Sequence, residues 1–373
     1  MDTIFDYLDW RGDVPFSVSP FNEVDNYIVC KIGCCDFDGI VPEDAAGVPL
    51  GAALADYFKR TGNSDYFGAL ASQSLGPVLR RLPETVRFRD IRLCSFVRRA
   101  LPEQTEQFSA LTVLLPDGTA YVSYRGTDDT LYAWKEDCMM ALSGAVPAQR
   151  DAADYLRTVA GALPGKLRVG GHSKGGNLAV YAAAQADASI QSRITDIYNN
   201  DGPGFDEGFL SSPGYLAIRD KILTLLPQFS IVGTLLLQDS SNCTVVRSNR
   251  FGIPAHDGFN WGVRGTAFLR SDALSRSSRA FDATMEQVLG EMDMAQRREF
   301  IDTLFRLLSA SGAVTLSDIN ERRLRKSLSI ARSMAKEKTV SRFVVDVLEQ
   351  MVKEYIAASA RQLRQHLPGR REK

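Results

Sequence analysis

Hydrophobic positions along this chain switch between two periods, and the switches predict its elements. From Ser109 the run SALTVLL, the turn PDG and the run TAYVSYRG predict two β-rich segments joined as a hairpin. Residues 146–163, VPAQRDAADYLRTVAGAL, carry Ala, Leu and Tyr at helical spacing, and Pro164-Gly165 ends that helix. LRVGG (167–171) then reads as a short buried strand, and NLAVYAAAQA (177–186) as a helix of small residues able to pack closely on a sheet. ITDIYNN (194–200), KILTLL (221–226) and CTVVRS (243–248) read as further strands, the last being the final one. Before the hairpin, NEVDNYIVCKIG suggests an amphipathic helical segment near the core.

Strands alternating with helices after an early hairpin predict an α/β fold with a mostly parallel central sheet flanked by helices. After about residue 270 the pattern is helical to the end. In FVVDVLEQMVKEYIAASARQL, Val344, Leu348, Met351, Val352 and Tyr355 share one helical face, a stripe suited to core or dimer packing. The expected organisation is a main domain over residues 1–270, N-terminal segment included, and a helical C-terminal extension over 271–373.

Composition adds limits to this picture. The 373 residues are 45% hydrophobic and 24% charged, enough for a sizeable core. A net charge of −1 argues against a dedicated polyanion binder, so no nucleic acid is expected as partner. Residues 321–373 hold 14 Lys/Arg against 6 Asp/Glu, a local +8. That tail reads as a solvated helical face or, alternatively, as a peripheral contact for a membrane or an acidic partner. MDTIFDYLDWRGD lacks the basic and apolar regions of a secretory signal, and LLPQFSIVGTLLL is too short and interrupted to span a bilayer. Cys30, Cys34, Cys35, Cys94, Cys138 and Cys243 show no disulfide-framework spacing, and no histidine accompanies the first three; buried free thiols in a reduced, cytoplasmic protein are the expectation. The oligomeric state stays open.

Candidate chemistry centres on GHSKG (171–175), a G-x-S-x-G pattern with a strand before it and a helix after it. That context lifts the Ser173 hydroxyl above the sheet on a sharp turn and points the Lys174 amide where an oxyanion would develop. The structural alternative is a plain tight turn. Three histidines compete for the role of base. His172 neighbours the serine in sequence and points away from it; His366 lies in the basic tail. His256, in the loop RFGIPAHDGFNW after the CTVVRS strand, follows the serine in chain order at the sheet edge where a triad base belongs.

YRGTDDTLYAWKED (124–137) with GHSKGG (171–176) resembles the class 3 lipase group of α/β hydrolases. DYLDWRGDVPFSVSPFNEVDNYIVCKIG, DGPGF (201–205), PQFSIVG (227–233) and HDGFNW (256–261) resemble, more narrowly, a bacterial family of lipase-like α/β hydrolases of undefined function. The resemblance covers most of residues 1–265. It implies an α/β-hydrolase fold and a second oxyanion-hole donor in the backbone amide of Thr127, with Asp137, three residues after Trp134, bracing the loop. It also marks a departure. The class 3 acid follows the second strand after the elbow, and the matching position here falls on Ser230, which carries no charge. Asp201, ending the first strand after the elbow and followed by the rigid Gly202-Pro203-Gly204, is the acid favoured instead, with a loop-capping role as its alternative. Asp257 adjoins the base and is poorly placed to reach its ring; Asp239 is more remote.

The expectation is a serine esterase or lipase-like hydrolase using Ser173, His256 and Asp201, with no organic cofactor and no metal. Its substrate is a carboxylic ester, a lipid acyl ester included. The rival readings are an inert binding or scaffold protein on the same fold, and an acyltransferase or peptidase with the same triad.

Overall fold

A computed structural model describes residues 1–65, 67, 73–101, 106–127, 130–140, 145–230, 232–251, 253–275, 278, 293–314, 318, 321–336, 342, 345 and 349. The chain divides into two compact units, Met1–Asp128 with Ser143–Glu291, and Asp129–Leu142 with Met292–Lys373, where the hydrophobic pattern offers a single boundary near residue 270.

The first unit is built on an eight-stranded sheet whose strands lie in sequence order: β1 (Val48–Pro49), β2 (Arg92–Leu101), β3 (Glu106–Leu114), β4 (Ala120–Tyr124), β5 (Leu167–His172), β6 (Ile194–Asn200), β7 (Ile222–Pro227) and β8 (Cys243–Val246). The pairs from β1 to β4 are antiparallel and the four from β4 to β8 parallel. β3 and β4 form the hairpin that the PDG turn predicts, with Gly118 at φ 81°. β5 to β8 follow the apolar runs read from the sequence. CTVVRS is not the last strand, since Val263–Arg264 and Ala267–Phe268 form a short two-stranded ribbon. β2 escapes the pattern because it carries a bulge between Cys94 and Val97, with Ser95 at φ 55°, which interrupts the two-residue period.

Alternating side chains sort the core into two layers. Ala120, Val122, Tyr124, Leu167, Val169 and Ile197 pack with helices Pro147–Ala162 and Lys174–Ala184. Leu111, Val113, Tyr121, Tyr198 and Leu225 pack on the other face with helices Ile4–Arg11 and Glu23–Ile32. All ten residues of Glu23–Ile32 are buried, so this segment is a core helix rather than a half-exposed amphipathic one. Its polar groups are satisfied internally. Asn22 caps it, accepting from the Val24 and Asp25 amides at 3.0 and 3.1 Å. Tyr121 donates to Asn26 at 2.6 Å, Asn26 donates to Asn200 at 2.9 Å, and Asn200 donates to the Gly171 carbonyl at 2.9 Å. This chain of amides fastens the helix to β5 and β6 beside residue 173.

The second unit is helical. Leu131–Met139, Met294–Ala310 and Glu321–Lys336 share a core that includes Leu131, Phe300, Phe305, Leu308, Leu324 and Leu328. Lys135 pairs with Asp302 at 2.6 Å. Val344, Leu348, Met351, Val352 and Tyr355, like His366, lie outside the described residues.

Among the described residues no helix is long and apolar enough to cross a membrane.

Candidate active site

β5 runs straight into Ser173, and helix Lys174–Ala184 begins immediately after it. Ser173 sits at φ 60° and ψ −134°, a conformation that a residue with a Cβ adopts only when its surroundings impose it. The imposing contacts are visible. The Ser173 amide donates to the Asn200 carbonyl at 3.0 Å, and the Gly176 amide donates to the Ser173 carbonyl at 2.8 Å. A Cβ at Gly171 would collide with the Gly175 carbonyl, and one at Gly175 with the Tyr124 carbonyl. The two glycines of G-x-S-x-G are therefore required by the closeness of the turn to itself and to β4. Ser173 is 5% exposed.

The segment after β4 lies against this turn. A Cβ at Gly126 would stand 2.6 Å from the His172 carbonyl and 3.3 Å from the Ser173 Cβ, so Thr127 follows a residue in direct contact with the elbow. The Lys174 side chain is buried, its Nζ donating to the Gln107 carbonyl at 3.0 Å. Trp134 and Asp137 lie on helix Leu131–Met139, within the second unit.

His256 ends the short turn Ile253–His256, and its Nδ1 is 2.6 Å from Asp201 Oδ2. Asp201 follows β6, fully buried, at φ 52°; its amide donates to the Leu225 carbonyl at 2.8 Å. Its other oxygen accepts from the Ser230 hydroxyl at 2.5 Å, and the Ser230 oxygen accepts from the Gly233 amide at 3.0 Å. The residue at the position where the class 3 acid would fall thus orients the carboxylate that lies one strand earlier. Burial pushes the Asp201 carboxyl above the ordinary aspartate range, while the His256 ring and the donors around it pull the other way. With Asp201 ionised, the proton between them resides on Nδ1 and the Nε2 lone pair is left for chemistry. The other two carboxylates weighed from the sequence are occupied elsewhere. Asp257 accepts from the Phe259 amide at 3.1 Å, and Asp239 is held by Arg219 at 2.6 Å, which keeps its carboxyl well below the usual range.

Two residues with a part in this arrangement are invisible to motif reading. His172 does not reach toward its neighbour's hydroxyl; its Nε2 meets the His256 carbonyl at 2.7 Å, and the two imidazoles lie 4.3 Å apart at 36°. Nε2–H donates to that carbonyl, and burial keeps the ring neutral by holding its pKa well below 6.5, aided by Lys31 and His256. Tyr27, from the core helix, accepts from the Gly258 amide at 2.7 Å and sets its ring edge-on to His172 at 5.6 Å. Both hold the loop that carries His256. The sequence signal for them is weak: a histidine beside a serine, and a tyrosine 229 positions earlier than the base.

A sheet flanked by helices on both faces, with a buried serine on a strained strand-to-helix turn at the ends of its parallel strands, defines an α/β hydrolase. The chain belongs to the Mbeg1-like family, whose model matches residues 82–306. Among solved structures it is similar to a Rhizomucor miehei lipase in a propeptide complex, at 18% identity and TM-score 0.33, over 43% of this chain and 58% of that one. It is also similar to M37 lipase, at 14% identity and TM-score 0.32, over 44% and 63%. The match thus spans less than two thirds of either lipase. No curated protein matches the chain in sequence.

Proposed function

We propose that this protein is a serine hydrolase that cleaves a carboxylic ester through an acyl-enzyme on Ser173. The observation that carries the reading is the 2.6 Å pairing of His256 with the buried Asp201, at the same sheet edge as a serine held in a strained turn. His256 Nε2 takes the hydroxyl proton as Ser173 Oγ attacks the ester carbonyl, and Asp201 stabilises the imidazolium. The amides of Thr127 and Lys174 receive the tetrahedral oxyanion; one such donor is typically worth about 10²–10³ in kcat. Collapse expels the alcohol with the proton from His256. Water then attacks the acyl group through the same base, releasing the acid and restoring Ser173. The lipase-like segments YRGTDDTLYAWKED and GHSKGG favour a lipid acyl ester.

Labelling with a fluorophosphonate, followed by peptide mapping, tests the reading. The expected result is a single adduct on Ser173, absent from Ser173→Ala and His256→Ala and greatly slowed in Asp201→Asn. An unlabelled, folded wild-type protein would overturn it.

A further inference from the structure

Helix Glu321–Lys336 of the second unit carries charge that no step at Ser173 uses. It holds six Lys/Arg and one acidic residue, Glu321 at its start. Leu324, Leu328 and Ala331 are buried in the core of the unit, and Ile330, Met334 and Ala335 pack partly against that core. At about 100° per residue these six occupy one side of the helix. The exposed cations Arg322, Arg325, Lys326, Arg332 and Lys336 fall on the other side, within an arc of about 120°, and the exposed residues among them are Ser329 and Ser333. Glu321 lies at the border of the arc. From Arg322 to Lys336 the row runs roughly 21 Å along the axis.

The surroundings leave this row open. Arg332 pairs with Glu349 at 2.6 Å, yet its side chain stays half exposed. Arg323, on the flank, pairs with Asp318 at 3.0 Å. Lys326 Nζ donates to the Ser311 carbonyl at 3.3 Å. Three residues beyond Ser311, Val314 is 70% exposed, in a turn fixed by its amide donating to Asp318 at 2.9 Å and its carbonyl accepting from the Leu131 amide at 3.0 Å. An apolar side chain thus stands in water at the flank of the cations. Residues 321–373 carry a local +8 in a chain of net charge −1, so the remainder is net negative. Because the apolar side of the helix is occupied by its own core, the attraction this face can offer is charge, with Val314 beside it. A straight row of guanidinium and ammonium groups complements a plane of phosphates.

We propose that this helix face docks on an anionic lipid surface, with the headgroup phosphates and carboxylates meeting the five cations while the helix lies outside the hydrocarbon. The preference for lipid over nucleic acid rests on the lipid acyl ester reading above and on the exposed Val314; the basic face itself does not depend on that reading.

The test is cosedimentation of the full-length protein with vesicles of pure phosphatidylcholine and with vesicles holding about 30% phosphatidylserine. Two variants accompany wild type, each checked for an unchanged thermal midpoint. One is the triple variant Arg322→Gln, Lys326→Gln and Lys336→Gln. The other is Ser329→Glu with Ser333→Glu, which sets negative charge inside the row without touching the core and decides the matter if the first does not fold. Wild type is expected to bind the anionic vesicles, to leave pure phosphatidylcholine unbound, and to be released as salt rises from about 0.1 M to about 0.5 M. Each cation near such a surface is worth about fivefold in affinity, so the triple variant should bind about a hundredfold more weakly, and the serine variant should be weakened as well. Equal binding to both vesicle types, or anionic binding that neither variant weakens, overturns the proposal. So does no binding to either vesicle; if wild type then retards a DNA duplex and the triple variant does not, the face belongs to nucleic acid. Fluorophosphonate labelling of Ser173 without vesicles keeps the two readings apart. A protein that sediments with anionic vesicles and does not label keeps the docking face and loses the hydrolase; one that labels and does not sediment does the reverse.

Discussion

Among the described residues two aspartates are fully buried, and the contrast between them separates architecture from chemistry. Asp25 is enclosed by Arg87, whose Nε lies 2.7 Å away and whose Nη2 completes the fork, by the Tyr7 hydroxyl at 2.7 Å and by the Asn22 amide at 3.0 Å. Arg87 is as inaccessible as the carboxylate it serves, and its other donors go to the carbonyls of Val14, Ser19 and Pro20. Asp201 is equally buried and also surrounded by donors, yet its partner is an imidazole with a partly exposed side chain. Burial raises the pKa of both carboxyls. A perturbed acid is therefore no mark of function in itself. What differs is the partner: a guanidinium that never gives up its proton locks a fold, and an imidazole at the rim can pass one on.

The sharpest way to break that comparison is Asp201→Asn. Activity is expected to fall about 10⁴-fold, because the amide no longer holds the imidazole in the useful tautomer. The thermal midpoint at pH 7 should not fall. A buried carboxyl whose folded pKa is raised favours the native state while protonated and loses that contribution as pH rises through the folded pKa, so removing the charge relieves a cost. Ester hydrolysis beside thermal melts checks both halves, and a midpoint lowered by many degrees would put Asp201 in the same class as Asp25.

Arg87→Met comes next in size. It strands the Asp25 carboxylate in the core and should cost about 3–5 kcal/mol in urea unfolding. The double variant with Asp25→Leu should recover much of this, and a single-variant cost below about 1 kcal/mol would remove the structural half of the contrast.

A smaller effect is expected for Ser230→Ala, which takes one donor from the ionised Asp201. Loss of a hydrogen bond to a charged group of about 1.5 kcal/mol corresponds to roughly tenfold in kcat. An unchanged kcat would mean that the 2.5 Å contact from Ser230 contributes nothing to orienting the acid.

The smallest effect is pH-dependent and belongs to His172. Its pKa is depressed in the folded state, so its contribution to stability is present above about pH 6.5 and is lost as pH falls below that, at up to about 1.4 kcal/mol per unit. In His172→Gln the loss between pH 7 and pH 5 should be shallower than in wild type. Superimposable pH profiles from denaturant melts would show that the ring is not held neutral by its surroundings.

How much of this could be read in advance follows from the range of the interactions involved. The elbow was legible because its requirements are local: Gly171 and Gly175 are four residues apart and crowd each other, and the period of the hydrophobic residues changes on either side. β6 matches ITDIYNN end to end, its residues buried except for Thr195 and Asp196 near the start, which are of intermediate exposure. β2 was missed, since a bulge at Cys94–Val97 shifts the side chains that should alternate. The core helix Glu23–Ile32 looked amphipathic because its asparagine and aspartate face partners more than 60 residues away, not water.

By itself, then, the sequence determined what depends on neighbouring residues: the nucleophile turn, the hairpin, the strand and helix periods, and a choice of base narrowed to three histidines. Which carboxylate meets His256, that Ser230 and Gly233 brace it, and that His172 and Tyr27 hold the loop were decided only by tertiary structure. These contacts join positions tens to hundreds of residues apart. Their geometry comes from strand register and helix packing, where a shift of one residue would turn every side chain to the opposite face.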